Sequence, residues 1–139
     1  MVARLRGDDG NLSVFVVIVT TALVLAAGLV LDGGRLLAAR RLAADIAGNA
    51  ARAGAQAVDE HELRSGRAVI DPVAAVDAVA VYLASTPATG RTRVAGDTVS
   101  VDVRMPVTML LLGLAGVGDA TVTANRQARA ATGVSETGP

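Results

Sequence analysis

The sequence predicts an α+β protein in which an N-terminal transmembrane helix continues into a long alanine-rich amphipathic helix, followed by a second helix and a small antiparallel sheet of about three strands. Three observations predict it. The chain carries no charge from Leu12 to Leu31; downstream, small apolar residues recur at steps of three and four; and beyond Arg91, apolar and polar residues alternate around turn signals.

The twenty residues from Leu12 to Leu31 include only Ser13, Thr20 and Thr21 as polar side chains. At about 1.5 Å per residue they extend about 30 Å, the thickness of a bilayer's hydrocarbon core. Serine and threonine return their hydroxyls to the carbonyl of an earlier turn, so these three are compatible with lipid. A soluble core helix of this length would show a polar face, and this one shows none. A cleaved signal peptide is the competing reading, since Arg4 and Arg6 precede the run and Ala26, Ala27 and Gly28 resemble a small-residue cleavage site. The run continues through Leu29, Val30 and Leu31, longer than an ordinary signal core, which favours retention. Arg35, Arg40 and Arg41 follow the span closely, so charge counting leans toward a cytoplasmic C-terminus but leaves the orientation open.

Gly33 and Gly34 follow Asp32 where the lipid should end. Two adjacent glycines cost about 2 kcal/mol in a helix interior relative to alanine, so a bend or swivel is expected there. From Arg35 to Val58 the chain turns amphipathic, with a packing seam of Leu36, Ala39, Ala43, Ile46, Ala50, Ala53 and Ala57. Arg41, Asp45, Asn49, Arg52 and Gln56 lie opposite, Arg41 and Asp45 being spaced for an i,i+4 contact. Small seam residues allow close approach with little buried area, either to the protein's own domain or to a partner helix.

The polar stretch Asp59 to Gly66 is expected to form a loop. Asp71 then offers an N-cap and Pro72 a first helical position, opening a helix through Val73, Val76, Val79, Ala80 and Leu83 that ends before Pro87. A hairpin follows: Arg91 to Ala95, the turn Gly96 and Asp97, and Val99, Val101, Val103 and Met105 alternating with Ser100, Asp102 and Arg104. A third strand is expected from Ala120 to Ala130, its alternation perturbed at Arg126. Between the second and third strands, the run Met109 to Leu114 is too short to span a bilayer. It is expected to be a buried short helix, with a membrane-surface contact as the alternative. The final residues, 132–139, are small and polar and are expected to be disordered.

Composition limits the function. The chain has 139 residues, zero net charge, no cysteine, one histidine, and Phe15 and Tyr82 as its aromatic side chains. Without a basic surface or stacking aromatics it is not a nucleic-acid binder. Without cysteine there are no disulfides, thiolate nucleophiles or cysteine metal sites. His61 sits among Asp59, Glu60 and Glu62, but adjacent residues rarely converge on one ion, and a solvated segment is the better account. Ser65, Ser85 and Ser100 lack a nucleophile elbow, and Gly113, Gly116 and Gly118 lack the strand, helix and lysine of a phosphate loop. The chain is expected to be a non-enzyme with no cofactor, no metal and no small-molecule substrate, and with the lipid bilayer as one partner.

The segment Gly10-Asn11-Leu12-Ser13-Val14-Phe15-Val16-Val17 and the boundary Gly28-Leu29-Val30-Leu31-Asp32-Gly33-Gly34-Arg35, continuing through Leu36-Leu37-Ala38-Ala39-Arg40-Arg41-Leu42-Ala43-Ala44-Asp45-Ile46-Ala47, resemble the TadE/TadG-like proteins of tight-adherence (Flp) pilus assembly. In that family too the span leads into an aspartate, an arginine and an alanine-rich stretch. The likeness is most specific over residues 10–57. The later pattern, with Pro106-Val107, Leu110-Leu111-Leu112-Gly113 and the stretch from Val122 to Ala130, resembles actinobacterial members more loosely.

The resemblance implies a cytoplasmic N-terminal arm (1–11), a transmembrane helix (12–31), an extracytoplasmic α+β domain (32–131) and the tail (132–139). It also implies an accessory role in pilus assembly or secretion at the cell membrane, with pilus or Tad-machinery subunits, including minor pilins, as partners. The alternative is an anchored or secreted envelope-binding module unrelated to pili. Gly10 and Asn11 form a candidate prepilin-type processing junction. The fifth position after it is Phe15, where pilin substrates carry glutamate, so the chain resembles the glutamate-lacking, TadG-like side of the family.

Overall fold

A computed structural model describes residues 9–114 and 116–130. The expected tail at 132–139 and most of the expected N-terminal arm lie outside the described residues.

Helix α1 runs from Asp9 to Ala55, 47 residues, or about 70 Å at 1.5 Å per residue. Gly33 and Gly34 lie within it and do not interrupt it, so no break in the helix supplies the swivel expected there. The reason is support on both sides. Asp32 is buried immediately before the glycines and the core begins at Ala43 after them. Propagating a helix already held at two places costs less than starting a new one.

The alanine-rich half of α1 lies across one face of a three-stranded antiparallel sheet ordered β1-β2-β3, with β1 Thr89–Ala95, β2 Thr98–Val107 and β3 Ala120–Arg129. Alternation along β2 buries Val99, Val101, Val103, Met105 and Val107 under the helix, and Val122 of β3 joins them. The hairpin turn is Gly96-Asp97, since Ala95 pairs with Thr98. Gly96 has φ of +60° and Asp97 has not, as a type II′ turn requires. As expected, the alternation of β3 is broken at Arg126, which is exposed where the pattern would bury a residue, but the ladder continues, Arg126 pairing with Val101, and its aliphatic stem rests near Gly48 on α1.

Residues 59–66 are not the loop expected. They contain a five-residue helix, α2, Glu60–Arg64, because the Asp59 carboxylate accepts from the His61 and Glu62 amides at its start. A bridge between Val58 and Ile70, flanked by Asp59 N–H to Val69 O (2.8 Å) and Asp71 N–H to Ala57 O (2.9 Å), closes this excursion at its base.

Helix α3, Pro72–Ala84, starts as the sequence predicts, with Asp71 Oδ1 accepting from Val73 (2.9 Å) and Ala74 (3.2 Å) and Pro72 in the first turn. Only part of its apolar sequence is buried. Ala75, Val79 and Leu83 enter the core, while Val73, Val76 and Ala80 stay exposed. The helix lies against α1 and β1. At the meeting of α1, α3 and β2, Gly54 leaves the needed room. A Cβ there would stand 2.9 Å from Val79 Cγ2, 3.0 Å from Val99 Cγ1 and 3.3 Å from the Ala75 carbonyl.

The run between β2 and β3 forms a single short helix, α4, Leu111–Leu114. It is not buried as expected: Leu110 and Leu114 are exposed, and Leu111 and Leu112 are half-buried against α1. The core is built from α1, α3 and the sheet, chiefly the valine face of β2, without any residue of α4.

Candidate functional site

Helix α1 has two environments. From Leu12 to Leu31 its leucines, valines and Phe15 are exposed all round, and this part is long and apolar enough to cross a membrane. Thr21 returns its hydroxyl to the Val17 carbonyl at 2.8 Å, so its polar group needs no water. Beyond Arg35 the same helix becomes the central element of the core.

In the packing seam, Ala43, Ile46 and Ala50 are buried, Leu36, Ala39 and Ala57 are partly buried against the core, and Ala53 is half-buried. The surface they meet is the protein's own sheet and α3. Ala47, Ala51 and Ala55 are buried as well and lie outside the strict heptad. An unsupercoiled helix drifts from a 3.5-residue repeat, so its buried stripe widens to the 3.6-residue pattern. Arg41, Asp45, Asn49, Arg52 and Gln56 are all exposed, as the opposite face should be. Gly10 and Asn11 fall in the first turn of α1, and their side-chain surroundings are outside the described residues.

Asp32 joins the two halves, and sequence reasoning gave it no partner. It is the one buried charged residue among the described residues, 1% exposed. Its Oδ1 accepts from Leu110 N–H at 3.0 Å, and its Oδ2 from Leu111 at 3.1 Å and Leu112 at 2.8 Å. The carboxylate therefore caps α4 from another helix, satisfying amides that the start of a helix leaves without partners. The Leu112 amide foremost, then those of Leu110 and Leu111 and the charge of Arg35, hold this carboxyl below the ordinary range, against the opposing effect of burial.

One turn earlier, Gly28 is also buried. A Cβ there would stand 3.0 Å from Leu111 Cβ, so the glycine forms a notch that seats α4. Gly28 and Asp32 are i and i+4 on one face, and that pairing at the end of an apolar run is the signal that could have revealed the docking.

The other sequence candidates stay apart. His61 is exposed on α2, and no group of three or more metal-ligating side chains occurs among the described residues. Ser65 and Ser85 donate to the His61 and Tyr82 carbonyls at their helix ends. The outer face of the sheet is polar, with Asp102 holding Arg93 at 3.1 Å and Asn125 at 2.8 Å.

Fold and site together define a class: among the described residues, one apolar helix long enough to cross a membrane, continuous with the core helix of a small α+β domain. Residues 10–57 match the family described as Flp pilus-assembly TadE/G-like, a span that nearly coincides with α1. No curated protein and no solved structure matches the chain.

Proposed function

We propose that the protein is a membrane-anchored accessory component of Flp/Tad-type pilus assembly or secretion, of the actinobacterial type, working by helix packing and protein contacts rather than catalysis. The observation that carries this reading is the coincidence of the family match at 10–57 with the one element that serves as both anchor and core. Residues 12–31 lie in the cell membrane, the arm before them in the cytoplasm, and residues 32–131 outside. The resemblance supports that orientation, which charge leaves open. Retention of the anchor is supported by the unbroken helix through Gly28 and by the contacts that Gly28 and Asp32 make with α4.

With Ala43, Ile46 and Ala50 buried within the domain, contacts to pilus or Tad-machinery subunits fall to the exposed span and to outward positions such as Leu42. A photo-crosslinker at Leu42 should capture pilus subunits in cells. Capture of unrelated envelope proteins, with normal piliation in a deletion strain, would favour the envelope-binding alternative. Topology is tested with a cysteine at the exposed Ser65, in a chain that has no other cysteine. Labelling from outside intact cells is expected, and labelling only after lysis overturns the orientation.

A further inference from the structure

The segment from Met105 to Gly118 carries no charge, and within it Leu114 is 86% exposed, Leu110 58% and Val117 49%. A soluble domain rarely presents such a cluster to water. Its position along α1 identifies what covers it. Leu111 rests on Gly28, and Leu111, Leu112 and Leu114 line a shallow groove with Val24, Leu25 and Gly28. At about 1.5 Å per residue, Gly28 lies about 4.5 Å and Val24 about 10 Å below the level of Leu31. The leucines of α4 are therefore level with the last two turns of the apolar span.

We propose that the segment Met109 to Val117 is a second membrane contact, a short wedge inserted into the bilayer leaflet that faces the domain, with Asp32 as the pin holding it there. The proposal rests on the reading that residues 12–31 lie in the bilayer. Backbone that enters lipid must have its polar groups satisfied, and the geometry meets that demand at five amides of the segment. Asp32 accepts from the amides of Leu110, Leu111 and Leu112, while Val117 N–H bonds to Leu112 O at 2.9 Å and Gly116 N–H to Gly113 O at 3.1 Å. Depth of about one to two helical turns is that of an interfacial segment. A wedge beside the anchor fixes the domain against the membrane surface, which a lone helix would leave free to rotate and tilt.

The chain has no tryptophan, so one introduced tryptophan reports its own surroundings. The full chain is reconstituted in phosphatidylcholine–phosphatidylglycerol vesicles with lipids brominated either near the headgroup or near the chain terminus. Leu114→Trp should emit at short wavelength and lose most of its emission to the shallow bromines, less to the deep ones. Leu23→Trp, at mid-span, should be quenched most by the deep bromines. Adding Asp32→Asn to Leu114→Trp should shift emission to the red and reduce shallow quenching. Quenching of Leu23→Trp without quenching of Leu114→Trp overturns the wedge and leaves the anchor standing. No quenching at either position overturns both. Short-wavelength emission at Leu114→Trp that neither lipid quenches means that protein, such as a second copy, covers the patch, and also overturns the proposal. Unchanged quenching with Asp32→Asn overturns the role of Asp32 as pin.

Discussion

The carboxylate of Asp32 accepts the amide of Leu112 at 2.8 Å, across 80 residues of sequence. This bond, with those from Leu110 and Leu111, makes the end of the apolar span and the start of α4 one structural unit. Asparagine is nearly isosteric but has a single acceptor oxygen, and its amide group would face backbone donors. Asp32→Asn should therefore release α4 while leaving the sheet intact. Hydrogen exchange in detergent micelles should show several-fold faster exchange of the Leu110 to Leu112 amides, with β2 unchanged.

The same bonds make α4 docking sensitive to acid. The folded-state carboxyl of Asp32 titrates below its unfolded value, so its contribution is fully present above the unfolded aspartate pKa of about 3.9 and is lost as pH falls through the lower folded value. Protection of the Leu110 to Leu112 amides should be constant from neutral pH down to that range and should then fall. Loss of protection on raising the pH instead would contradict the assignment.

Gly54 and the pair Gly33 and Gly34 should respond in opposite directions to alanine. At Gly54 the new Cβ meets Val79, Val99 and the Ala75 carbonyl, and overpacking of this kind costs about 1–3 kcal/mol. That exceeds the gain in helix propensity, so Tm should fall. At Gly33 and Gly34 nothing lies within 4 Å of the added atom. Each change to alanine should stabilise α1 by about 0.5–1 kcal/mol, raising Tm in a detergent-solubilised thermal scan.

Val101 is fully buried at the centre of β2, facing α1. Val101→Ala removes two methyl groups and leaves a cavity, a loss of about 2–3 kcal/mol. A core this poor in aromatics has few large side chains able to fill the space. Denaturant titration should show a lower midpoint, whereas the exposed Val73→Ala should leave it within about 0.5 kcal/mol.

Local chemistry was legible wherever a residue's neighbours in sequence decide its state. The uncharged run from Leu12, the cap of Asp71 with Pro72, the Gly96-Asp97 turn and the alternating valines of β2 each follow from periodicity, capping or turn geometry within a few residues. The same is true of the alanine face of α1, whose small residues could be read before the surface they meet was known. Around Asp59, by contrast, the sequence suggests a loop because α2 is too short to show a period, although its cap lies in plain sight.

What the sequence by itself determined, then, is the apolar span long enough to cross a membrane, the helix that continues it and the hairpin. The tertiary structure alone decided that α1 passes unbroken through Gly33 and Gly34, that α3 turns Ala75, Val79 and Leu83 inward, and that α4 lies outside the core beside Gly28. The physical reason is common to all three. Each depends on a surface supplied by a distant segment, and the amides that Asp32 satisfies belong to residues 78 to 80 positions away, beyond the reach of any local pattern.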